Sequence, residues 1–259
     1  MAAALELEHI DFENVPIDGC LIVAGPSRSG KTTVVLDIMH AHRHKFSYAT
    51  VFSGSEKYNH TYSAFVHPML IKYNLDKAEL ENAYNFQAEA FIKDPNQRCL
   101  MIIDDQMSRK DFLKWPITSR LFYECRHINL FLVICTQYLL LLEPSFRTNA
   151  VGIVFTKQPS VQTRRGYHQQ FFDGFHSFEK FDQVYRKYTS DYKVIFLLIG
   201  DVSYNPLDTM KFYISPNYRN GRYALEFRIG SEQLWSFLDH LRINGTVRRK
   251  EIDDIIGIK

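Results

Sequence analysis

Nine consecutive residues, Gly25-Pro26-Ser27-Arg28-Ser29-Gly30-Lys31-Thr32-Thr33, have the types and spacing to hold a phosphate chain. They satisfy G-x-x-x-x-G-K-[ST], in which glycines let the backbone wrap the anion and successive N–H groups point at it. The N-terminus of a following helix adds its own attraction for negative charge. Lys31 is placed to reach the β- and γ-phosphates of a nucleotide, and the Thr32 hydroxyl to hold Mg²⁺. An apolar run, Leu21–Ala24, precedes the loop and a helix-compatible stretch, 34–44, follows it, as this chemistry requires. A glycine-rich strand-to-helix turn without a ligand is the competing reading.

A second acidic element, CLMIIDDQ at 99–106, sets Asp104 and Asp105 directly after a hydrophobic run. In a P-loop NTPase such a strand, expected beside the P-loop strand, delivers an Asp to the Mg²⁺ shell, and Asp104 has that position. Asp105 then stands where many ATPases carry a Glu that orients or deprotonates the attacking water. A carboxylate one methylene shorter reaches that water through a small shift or a second water. Solvated acids at a strand end are the bland alternative. A third polar stop, Thr136-Gln137, ends NLFLVIC. A strand buried on both faces rarely ends in Gln without a partner, because an unpaired buried amide costs about 1–3 kcal/mol. If this strand lies between the P-loop strand and the Asp104 strand, Gln137 faces the γ-phosphate and can orient water or report phosphate loss.

The elements that must position these groups are short, nearly continuous apolar runs at 20–25, 48–54, 99–105, 128–137, 150–157 and 193–201. Two-sided hydrophobicity of this kind reads as central strands of a parallel sheet covered by helices on both faces. Helix-compatible stretches at 31–44 and 108–124 alternate with them, so the expected fold is an α/β P-loop NTPase with a central, mainly parallel sheet. Residues 1–204 form that domain in this reading, and 205–259 a C-terminal extension packed on it. In the extension, 211–214 and 222–229 suggest a hairpin around SPNYRNG with its turn at Asn220-Gly221. Ser231 then caps an amphipathic helix, 231–242, with Leu234, Leu238 and Leu241 on one face.

A chain of 259 residues with 46% hydrophobic and 23% charged residues buries a full core and is not disordered as a whole. Thirty-one Lys plus Arg against 29 Asp plus Glu leave a net charge of +2, so any DNA contact must come from a local patch. Arg164-Arg165 and Arg248-Arg249-Lys250 are small basic clusters of that kind, more simply read as solvated surface; one of them could line a pore gripping the DNA backbone. The four cysteines, Cys20, Cys99, Cys125 and Cys135, form no C-x-x-C pair, so neither a disulfide framework nor a zinc site is expected. His40, His42 and His44 read as a solvated helix end, since only His40 and His44 share a face. The aromatic residues of 167–188 read as core. No secretory signal is visible at 1–15, and the longest apolar run, Leu130–Leu142, falls short of the ~20 residues that span a bilayer. A soluble protein of a reducing compartment is expected.

The order of these elements resembles the FtsK/HerA superfamily of DNA-pumping ATPases, and within it the poxvirus-type genome-packaging ATPases of large double-stranded DNA viruses. The likeness covers about 15–160 and rests on the P-loop, the Asp-Asp strand, Glu-Cys-Arg-His-Ile-Asn-Leu-Phe-Leu-Val-Ile-Cys-Thr-Gln at 124–137, and Phe-Arg-Thr-Asn-Ala at 146–150. Cellular members commonly end the acidic strand in Asp-Glu; the viral branch tolerates Asp-Asp. The resemblance implies ATP hydrolysis with Mg²⁺, a ring of identical subunits, and double-stranded DNA as the translocated partner. A capsid or portal-vertex protein is a further implied partner, and virion assembly sites in the host cell, or the virion, the implied location. Arg126 matches the family Arg ahead of the Thr-Gln strand, which the family is thought to use as an arginine finger toward a neighbouring subunit; a surface Arg capping a helix end is the alternative. Arg147 is a second candidate. Two other classes fit the P-loop: a nucleotide or nucleoside kinase, although no Arg-rich lid is evident, and a non-catalytic ATP-dependent DNA-binding module.

Overall fold

The computed structural model describes residues 6–104, 111–200, 206–216, 218–219, 222–223 and 225–244. Its main sheet holds β1 (Glu8–His9), β2 (Cys20–Ala24), β3 (Tyr48–Ser53), β4 (Ile71–Lys72), β5 (Cys99–Asp104), β6 (Leu130–Thr136), β7 (Ala150–Phe155), β8 (Lys193–Leu198) and β9 (Met210–Ile214). The spatial order is β1-β9-β8-β7-β2-β6-β5-β3-β4. Every apolar run picked out above is one of these strands, because each alternates its side chains between two buried faces. Cys20, Ile22 and Ala24 of β2 join one core cluster; Leu21 and Val23 join the other.

Helices cover both faces. The first carries α1 (Lys31–Ala41), whose Val34, Val35, Ile38 and Met39 pack on Leu21 and Val23. After the short α2 (Glu56–Asn59), the opposite face receives α3 (Lys77–Lys93), α4 (Pro116–Glu124), α5 (Pro144–Thr148), α6 (Val161–Phe171) and α7 (Phe178–Tyr188). Asp76 caps α3 by accepting from the Ala78 and Glu79 amides, and Pro116 opens α4 at a position that needs no N–H donor. That proline makes α4 shorter than the helix read over 108–124, with a 3₁₀ turn at Phe112–Lys114 before it.

All contacts from β7 through β2, β6, β5 and β3 to β4 are parallel. The run at 193–201 departs from the expected parallel central strand: β8 is antiparallel to both β7 and β9. Two helices, α6 and α7, lie between β7 and β8 where one would make a parallel crossover, and the second returns the chain to the end of the strands it had left.

The hairpin also differs. Residues 211–214 belong to β9, paired with β8 and β1, and among the described residues do not pair with 222–229. A smaller antiparallel pair, β10 (Tyr218–Arg219) and β11 (Arg222–Tyr223), takes the hairpin's place; the proposed turn residues Asn220 and Gly221 lie outside the described residues. After α8 (Pro206–Thr209), the last helix among the described residues is α9 (Glu232–Asn244), with Leu234 and Leu238 buried, Leu241 packed beside them and the Ser231 hydroxyl accepting from the Leu234 amide. Among the described residues no helix is long and apolar enough to cross a membrane.

Candidate nucleotide site

The phosphate-binding sequence forms the turn between β2 and α1. Gly25 and Gly30 take φ of 156° and 94°, and Arg28 between them takes 60°. The glycine at 25 is required by space as well as by backbone. A Cβ there would sit 1.8 Å from Thr156 Oγ1 and 2.9 Å from Ser29 Oγ. Thr156, just past β7, donates to Ser29 Oγ at 2.6 Å or to Ala24 O at 3.1 Å, and so ties the loop to the neighbouring strand. Ser29 in turn donates to Pro26 O at 2.8 Å. Lys31 is buried, and its ammonium donates to the carbonyls of Gly25 (2.9 Å) and Pro26 (2.8 Å), folded over the loop that it would share with a phosphate.

Across the sheet, β6 pairs with β2 on one side and with β5 on the other. The condition set for Gln137 is therefore met. The companion expectation, that the Asp104 strand lies directly beside the P-loop strand, is corrected: β6 intervenes. Asp104 nonetheless meets the P-loop helix, with Thr32 Oγ1 3.5 Å from Asp104 Oδ2. The Gly25 amide donates to Thr136 O at 3.0 Å, so the half-buried Gln137 follows directly on the strand end that touches the loop. Thr136 Oγ1 accepts from the Tyr138 amide at 2.9 Å, turning the chain immediately after Gln137. Asp105 lies outside the described residues.

Tyr62 was not singled out from the sequence, yet its phenol donates to Asp104 Oδ2 at 2.8 Å from a fully buried position. Burial first, and the Asp104 charge second, hold that phenol well above the usual tyrosine range, so it stays a donor. No spacing pattern links positions 62 and 104; the signal is tertiary.

The remaining candidates lie elsewhere. Arg126 stands in the 3₁₀ turn Cys125–Ile128, at the opposite end of β6 from the P-loop. Its side chain is exposed and, among the described residues, makes no ion pair and donates only to His127 Nε2 at 3.4 Å. Arg147 is turned inward: it is buried, donates to the Gln170 amide oxygen and lies over the Phe171 ring at 5.1 Å. Burial lowers its pKa. A group spent inside its own chain does not reach a neighbour, so of the two arginines Arg126 keeps the finger candidacy.

Arg164 is likewise no surface residue. It is 3% exposed and donates to the carbonyls of Gln158 and Pro159, both at 2.7 Å, while pairing with Asp182; Arg165 beside it is exposed over Phe178. Arg248, Arg249 and Lys250 lie outside the described residues. His42 departs from the solvated helix end as well, being 1% exposed at the C-cap of α1. All four cysteines are buried and free.

The model of the poxvirus A32 protein matches residues 15–156, more than half of the chain. The chain belongs to the poxvirus A32 protein family. The match covers the P-loop, Asp104, Arg126, Gln137 and the β7 strand behind Thr156. Protein 015R of frog virus 3 is 28% identical over 146 residues, 56% of this chain but 45% of its own length, so this family member spans less than half of that relative. Protein 088R of invertebrate iridescent virus 3 is 24% identical over 76% of this chain and 75% of its own. Among solved structures, the genome packaging NTPase B204 of Sulfolobus turreted icosahedral virus 2 in complex with sulfate gives a TM-score of 0.54 at 17% identity, covering 82% of this chain and all of that one. The complex of B204 with ATP-γS gives 0.50 at 18%, over 76% and 97%. At these identities the likeness shows the fold: a P-loop NTPase of the kind found in viral packaging proteins.

Proposed function

We propose that this A32-family chain is the ATP-hydrolysing subunit of a ring that moves double-stranded DNA, packaging a viral genome into a capsid. One observation carries the reading. The sheet order β2-β6-β5 gathers Lys31, Thr32, Asp104 and Gln137 at the C-terminal ends of these strands, with Thr32 and Asp104 3.5 Å apart. The hard oxygen donors of Thr32 and Asp104 suit Mg²⁺, which prefers few protein oxygens together with phosphate oxygens. Bound there, Mg²⁺ would neutralise charge building on the phosphates.

The protein's own part is positioning and electrostatics, since phosphoryl transfer asks little covalent chemistry of the enzyme. Lys31 exchanges its two carbonyl partners for phosphate oxygens. Asp105, next along the chain from Asp104, takes the proton of the attacking water, and Gln137 orients that water. Arg126, exposed at the opposite end of β6, supplies positive charge to the site of the adjacent subunit, so a lone subunit lacks a complete site. Support for DNA as the cargo comes from the family and from the packaging NTPases that share this fold.

The test measures ATPase rate with and without long duplex DNA, beside the oligomeric state. The reading expects stimulation by DNA in the oligomer, lost at high salt as phosphate contacts are screened, and abolished in Lys31→Ala. Phosphorylation of an added nucleoside would favour a kinase; no phosphate release by an oligomer on DNA would favour a non-catalytic module.

A further inference from the structure

We infer that Tyr62 and Glu56 form a built-in brace that positions Asp104 as a metal ligand, an inference that rests on the ATP-hydrolysing reading above. β3 and β5 run side by side with Ser53 opposite Asp104, so the segment leaving β3 passes directly over the carboxylate. That segment is folded around a buried acid. Glu56, 1% exposed, accepts the backbone N–H of Thr61 (2.8 Å) and Tyr62 (2.9 Å) on one oxygen and of Ser63 (2.8 Å) on the other. Three amides on one carboxylate fix the backbone on both sides of Tyr62, and His60 takes φ of 49° to let the chain turn back.

The ring that emerges is itself immobilised. Tyr62 is 1% exposed within the core cluster that also holds Val23, Val133 and Cys135, and its hydroxyl meets Asp104 Oδ2 at 2.8 Å. The phenol and the Thr32 hydroxyl meet the same oxygen, Asp104 Oδ2, so the hydrogen bond from Tyr62 sets the rotation of the carboxylate with that oxygen on the Thr32 side. Three amide hydrogen bonds offset the desolvation cost of the buried Glu56 carboxylate, and what they fix is the backbone that carries Tyr62. Holding a ligand oxygen in place gives it a function, as partners behind metal ligands commonly do.

Fluorescent N-methylanthraniloyl-ATP titrated into the full chain across a MgCl₂ series, and in EDTA, separates this role from plain folding. Tyr62→Phe keeps the ring and removes only the donor. The Mg²⁺ concentration that half-restores tight nucleotide binding should rise about tenfold or more, with affinity in EDTA unchanged. Glu56→Gln, which turns an acceptor into a donor facing amides, should move it the same way and speed amide exchange at 61–63 in the nucleotide-free protein. Asp104→Asn is the control that removes Mg²⁺ dependence. If Tyr62→Phe and Glu56→Gln both titrate like wild type while Asp104→Asn does not, the brace is refuted and the nucleotide reading stands. If wild type binds no nucleotide with or without Mg²⁺, the nucleotide reading falls and the brace falls with it.

Discussion

Replacing Arg126 with alanine tests whether neighbouring subunits share one site, and the geometry sets what to expect. β6 advances seven residues from Leu130 to Thr136, and only Thr136 meets the P-loop at the Gly25 amide. At about 3.3 Å per residue the six steps of that strand alone separate Arg126 from its own loop by ~20 Å, beyond the reach of any side chain. Arg126 is also exposed, so its loss leaves no cavity and breaks no ion pair among the described residues. Stability and ATP affinity should therefore stay near wild type, while hydrolysis falls by the ~10³–10⁵ that arginine fingers supply in other P-loop enzymes. Mixing makes the test sharper. In a head-to-tail ring of Arg126→Ala and Lys31→Ala subunits in equal amounts, an interface works only where an intact P-loop faces an intact Arg126. Random assembly makes about one interface in four productive, so phosphate release should recover to roughly a quarter of the wild-type rate. The assay is steady-state phosphate release on duplex DNA, with each variant alone as baseline. Wild-type turnover by Arg126→Ala alone, or no recovery in mixed rings shown to contain both subunits, would refute the shared-site reasoning.

Asp105→Asn retains shape without the basic carboxylate, so ATP should bind while turnover drops about 10²-fold or more in single-turnover assays; normal hydrolysis by this variant beside an inactive Gln137→Ala would transfer the water-handling role to Gln137. Gly25→Ala drives a methyl to within 1.8 Å of Thr156 Oγ1, so nucleotide binding measured by calorimetry should be lost, and Thr156→Ala in the same chain should recover part of it. Burial first, then Lys45, lowers the His42 imidazole to about 4. The unfolded chain, near 6.5, binds the extra proton first as pH falls, so stability is lost below that value; denaturant midpoints should report about 2 kcal/mol less at pH 5 than at pH 7, and His42→Leu should flatten that limb.

How much of this molecule can be read from its residues follows from how local each signal is. Six apolar runs are strands because burial on both faces leaves no room for polar alternation, and that information sits inside each run. Direction does not. Nothing within Lys193–Leu198 says that it runs antiparallel; the helix count between β7 and β8 decides that, and the aromatic residues of 167–188 read as core without revealing that two helices carry them. Residues 211–214 have the composition of a hairpin arm, yet they extend the main sheet, where β8 and β1 give both edges of the strand a partner.

The site divides in the same way. The P-loop is legible because contiguous backbone makes it, and each glycine answers to a local φ or to one close neighbour. Gln137 is legible as an anomaly, a polar end to an apolar strand, and its meaning arrives only with the position of β6 between β2 and β5. Arginines are the least legible: Arg126, Arg147 and Arg164 look alike in sequence, and only one remains exposed. The buried two show why. Arg147 and Arg164 find amide and carbonyl oxygens that lie many residues away or on the next turn, and a guanidinium with five donors is satisfied wherever such acceptors converge. Tyr62 and Glu56 belong to the same class, since neither position carries a pattern until the strand pairing of Ser53 with Asp104 sets their loop over the carboxylate. Residues that hold a ligand by holding another residue leave their trace in the fold, at the strand end where the chemistry gathers.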